Sequence, residues 1–69
     1  MIQQIQLLLV ELISVLKDAV LLLKQAETLL EITNHVELEQ ELVRVKGLIK
    51  EKEGQIKALE QIIDELPPV

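Results

Sequence analysis

The chain has no cysteine and no aromatic residue. The first absence removes disulfides and thiolate ligands, so nothing covalent staples the fold and no redox compartment can be read. The second removes stacking platforms for bases and ring anchors at a lipid surface. Glycine and proline occur only twice each in 69 residues, which leaves few places to break a helix. Cations are scarce as well. Seven Lys and Arg against twelve Asp and Glu give a formal charge of −5, the wrong sign for nucleic-acid phosphates, so no nucleic-acid partner is expected.

No basic segment with a small-residue cleavage site opens the sequence, so no secretory leader is expected. The richest apolar stretch, Leu7 to Leu23, contains Glu11, Lys17 and Asp18. Each of these would cost about 2.5–3.5 kcal/mol at a bilayer centre, so a membrane span is not expected either. A soluble chain, intracellular by default, is what these absences leave. Nucleophile–base pairs, phosphate-binding loops and paired catalytic carboxylates are missing too, and neither catalysis nor a cofactor is expected. Ser14, the single serine, has no histidine within reach along its helix.

What is present is 49% apolar residues on a chain that is also 28% charged, the mixture of long amphipathic helices. The first half carries Ile2, Ile5, Leu9, Leu12, Leu16, Ala19, Leu23, Ala26 and Leu30 in alternating steps of three and four. That is a heptad stripe, with position a at Ile2 and d at Ile5. The second half carries Leu38, Leu42, Val45, Ile49, Lys52, Ile56, Leu59, Ile63 and Leu66 in the same rhythm, with Lys52 the one polar member. The two stripes are out of phase. Continued past Leu30, the first would place Glu37, Gln40 and Arg44 on its seam. A single rod would bury those charges, so the spacing predicts a turn at Thr33-Asn34-His35.

The expected domain is therefore one all-α antiparallel hairpin over residues 1–69: helix 2–32, turn 33–35, helix 36–66 and a Pro-terminated tail 67–69. Asn34 is expected to cap the second helix, with Glu37 three residues later as its capping-box partner. Folding the chain at Asn34 places residue i opposite residue 68 minus i. Leu9 then meets Leu59, Leu12 meets Ile56, Ala19 meets Ile49 and Leu23 meets Val45, so that seam residues find seam residues throughout. The expected intrachain seam is Ile5, Leu9, Leu12, Leu16 and Leu23 with Leu42, Val45, Ile49, Ile56, Leu59 and Ile63.

The first helix is greasier than one seam requires. Its g column is Met1, Leu8, Val15, Leu22 and Leu29, and Leu7, Val10, Ile13, Val20 and Leu21 are apolar as well. A second stripe runs along Ile5, Leu8, Leu12, Val15, Ala19, Leu22, Ala26 and Leu29. Soluble monomers rarely leave such a patch open. The expectation is a structural, self-associating module: a coiled-coil-like hairpin forming a four-helix bundle by dimerisation through Leu8, Leu12, Val15, Ala19, Leu22, Ala26 and Leu29. The alternatives are a higher homo-oligomer, a hetero-complex subunit or small chaperone holding a helix of another protein, and, less favoured, a lipid-surface binder.

Three local features have bland and sharp readings. Lys52 on the seam either snorkels to water or fixes register and oligomer state. His35, the only histidine, has Glu31 and Glu39 nearby, but no second histidine supplies a metal-binding constellation, and no metal site is expected. Gly47 and Gly54 both occupy f, outermost on the second helix, where each costs about 1 kcal/mol relative to alanine. They either reflect an exposed face or flatten it for another helix.

Overall fold

Strict heptads without internal proline should give long, uninterrupted helices, and they do. The computed structural model describes residues 1–67. Helix α1 spans Ile2–Thr33 and helix α2 spans Glu39–Glu65, joined through Asn34, His35 and a 3-10 turn over Val36–Leu38. Of the expected Pro-terminated tail, residues 68–69 lie outside the described residues. The helices fold back on each other as a hairpin, and the Cα atoms extend over 52 × 14 × 12 Å.

The turn is built differently from the sequence-based expectation. Asn34 does not cap α2; it closes α1, in the left-handed region at φ 46° and ψ 47°, and its backbone N–H donates to the Leu30 carbonyl at 3.0 Å. An α-helix commonly ends on a left-handed residue, and asparagine is the usual substitute when no glycine is available. The capping role passes to His35, whose Nδ1 accepts from the Glu37 N–H at 3.3 Å. Glu37 therefore contributes its backbone to the cap rather than a capping-box side chain. A 3-10 turn follows, with the Leu38 N–H donating to the His35 carbonyl at 2.8 Å, and α2 begins three residues later than its hydrophobic rhythm suggests.

The core is thin. Ile13 and Val20 of α1 and Ile49 and Ile56 of α2 are the buried cluster, each 7–8% exposed. Leu16, Leu23, Val45, Leu59 and Ile63 pack against it. Leu9 and Leu42 are half-buried. Ile5 and Leu12, expected in the seam, instead stand at its open edge, 42% and 46% exposed.

The reason is a rotation of α1. Columns a and e face α2, rather than a and d. Both columns are apolar over the middle of the helix, and d, which the spacing selects, is apolar from Ile5 to Ala26. Column e begins at Gln6 and ends at Glu27, which are half-buried. Packing decides otherwise: e offers branched Ile13 and Val20 to Ile49 and Ile56, where d would offer Ala19 and a larger void.

Candidate functional site

The rotation gives the hairpin two unlike flanks. On one, column b of α1 faces column e of α2 and carries the charges. Lys17 Nζ lies 3.9 Å from Glu60, Lys24 Nζ lies 3.5 Å from Glu53, and Glu31 lies 3.6 Å from Lys46 Nζ. Residues 17, 24 and 31 are one heptad apart, as are 60, 53 and 46. Each pair is about half exposed and stabilises little alone, but three in register fix the relative height of the helices. A fourth pair, Arg44 with Glu41 at 3.8 Å, lies within α2. Sequence periodicity had not disclosed these cross-helix pairs, because they need both the turning of α1 and a different register: their residue numbers total 77, where the expected pairing of i with 68 minus i would have set Lys17 opposite residue 51.

The other flank is apolar and open. Column d (Ile5, Leu12, Ala19, Ala26) lies beside column g, where Leu8 and Leu22 are each 66% exposed, Leu29 65% and Val15 62%. Ala19 and Ala26 are half-buried. Thus every residue of the expected oligomer interface lies on this flank, along about 36 Å of α1 from Ile5 to Leu29. Leu12 belongs here more than to the seam. From α2 the flank is bordered by half-buried Leu48 and by Ile62. Between the helices it dips into an open groove of about 390 Å³ lined by Leu12, Leu16, Gln55, Ala58 and Leu59. A groove also opens on the ion-paired flank, but Lys17, Glu53, Lys57 and Glu60 form most of its wall.

Lys52 is half-buried in the seam face of α2, and no ion pair engages it among the described residues. No side chain that is polar or charged is buried among them. His35, Glu31 and Glu39 line a small hollow beneath the turn with Leu30, Leu38 and Leu42. Among the described residues no group of three or more His, Cys, Asp or Glu is placed to hold a metal ion. No helix among them is long and apolar enough to cross a membrane.

Ile13 and Val20 are the residues that periodicity missed as seam members. The available signal was that both are β-branched and fall one heptad apart, four residues after Leu9 and Leu16. The two flanks of the hairpin thus differ in kind, one ion-paired and one apolar and open. Comparison of the chain with known protein families, with curated proteins and with solved structures finds no match in any of the three.

Proposed function

We propose that the protein is a self-association module, in which the d/g flank of α1 docks on the same flank of a second copy to give a four-helix bundle. The observation that carries this reading is the open flank itself: large aliphatic residues about two-thirds exposed in an unbroken row, beside a core of only four buried residues. A folded monomer of 7.9 kDa exposes about 4,400 Å². This chain exposes 5535 Å². The excess, about 1,100 Å² per chain, is larger than the roughly 800 Å² that each partner buries in a standard protein interface.

The energetics agree in direction. Six large aliphatic residues of the flank, at about 1.5–3 kcal/mol for full burial, supply on the order of 10 kcal/mol before the costs of association. The ion-paired flank offers nothing comparable, since its charges would have to be desolvated.

Sedimentation equilibrium of the purified chain tests the reading, with circular dichroism for helicity. A dimer is expected, with a melting temperature that rises with protein concentration because association stabilises the folded form. Leu22→Glu places two carboxylates in the interface and is expected to weaken the dimer at least about 100-fold. An unchanged mass for that variant would show that the flank is not the contact. A monodisperse, helical monomer at high concentration would sink self-association altogether. Helicity that appears only with vesicles, or only with another protein's helix, would transfer the flank to those partners.

A further inference from the structure

Resting on the self-association reading, we propose that the two α1 helices meet antiparallel and in a single register. Reversing the stripe end for end carries Ile5 onto Leu29, Leu8 onto Ala26, Leu12 onto Leu22 and Val15 onto Ala19, so that the residue numbers of each pair total 34. The stripe is its own complement under reversal, and the match covers all of it. Sliding one helix by a heptad leaves Ile5 and Leu8 without a partner in one direction; in the other it leaves Leu29 alone and gives Ala26 only the terminal Met1.

Side-chain size separates antiparallel from parallel. In a parallel pair about a two-fold axis each residue meets its own counterpart, so Ala19 faces Ala19 and Ala26 faces Ala26, two thin layers on either side of a Leu22 layer. In the antiparallel pair each alanine faces a larger residue, Val15 or Leu8, and the layers fill evenly. The knob that approaches the groove beside Leu12 is then Leu22 of the second copy, a residue 66% exposed in the hairpin.

Of the charges, those of the helix ends point the same way, while the carboxylates are indifferent. The turn end of the hairpin carries Glu27, Glu31, Glu37, Glu39 and Glu41, of which only Glu31 and Glu41 have ion-pair partners. A parallel pair would gather both sets of carboxylates at one end. The antiparallel pair separates these two sets but lays each beside Glu60, Asp64 and Glu65 of the other copy, so side-chain charge does not choose between the arrangements. In addition, α1 has no acidic residue in its first turn and no basic one in its last. Its end charges are therefore countered by antiparallel neighbours rather than by its own side chains.

Nitroxide labels on Ser14→Cys and Thr28→Cys test orientation and register together. Both residues are exposed and lie in column f, away from the stripe and from α2. In the proposed register the two labels on residue 28 are separated by about 33 Å along the axis, and those on residue 14 by about 9 Å. Pulsed electron resonance should accordingly give a clearly longer distance for Thr28→Cys than for Ser14→Cys. Equal distances (parallel helices, or a heptad slip in one direction), or axial separations of about 43 and 2 Å (a slip in the other), would overturn this inference while leaving the dimer intact. No dipolar coupling, together with a monomeric mass by sedimentation, would overturn the self-association reading beneath it.

Discussion

Asn34 is the only non-glycine residue with positive φ among those described, and the hairpin bends on it. A left-handed conformation costs a typical L-residue about 1–2 kcal/mol. Asparagine tolerates it better, and glycine has no Cβ to object. Asn34→Gly is therefore expected to raise the unfolding free energy by about 0.5–1 kcal/mol, and Asn34→Val to lower it by at least about 1–2 kcal/mol, both measured by urea melts. Equal stability of the valine variant would show that the turn does not depend on this backbone. The same residue illustrates a limit of sequence reading. Asn is favoured both as an N-cap and as the left-handed residue after a helix, and its side-chain chemistry alone does not choose between them. What chose was the demand of α1 for a terminator in a segment with no glycine.

At the level of the helices, α2 carries two residues that its own fold does not ask for. A Cβ added at Gly47 or Gly54 would meet nothing within 4 Å. Replacing both with alanine should stabilise the protein by about 2 kcal/mol through helix propensity. A much smaller gain, or a changed assembly mass in sedimentation, would mean that another helix lies against this face. The hairpin was legible because the two hydrophobic rhythms break phase over Thr33-Asn34-His35, a signal that no packing detail can reverse. Which face of α1 turns inward was not. Columns d and e are both apolar beside Leu9, Leu16 and Leu23, and the choice between them is made by how Ile13 and Val20 fit Ile49 and Ile56, a property of two surfaces together. The d/g stripe was readable from the same rhythm because α2, two-faced itself, has too little apolar circumference to cover it.

For the molecule as a whole, height and rotation of the helices are held by a slender core and by three ion pairs on one flank. Lys52 sits where an aliphatic residue would continue the core of α2. Lys52→Leu is expected to raise stability by about 1–2 kcal/mol, as a buried aliphatic side chain should. If the lysine fixes register, the variant will also sediment as a mixture of species. A single sharp species, unchanged in mass, would reduce Lys52 to a side chain that merely reaches for water.

The bend at Asn34 also decides how copies of this chain cannot combine. Domain swapping would require the connection to straighten, with each arm donated to a neighbour. In that rod the inward face of α1, continued in register, would run through Glu37, Glu41, Arg44 and Glu51. Arms exchanged through one continuous helix would present charge where the closed form presents Leu42, Val45 and Ile49, which works against that route.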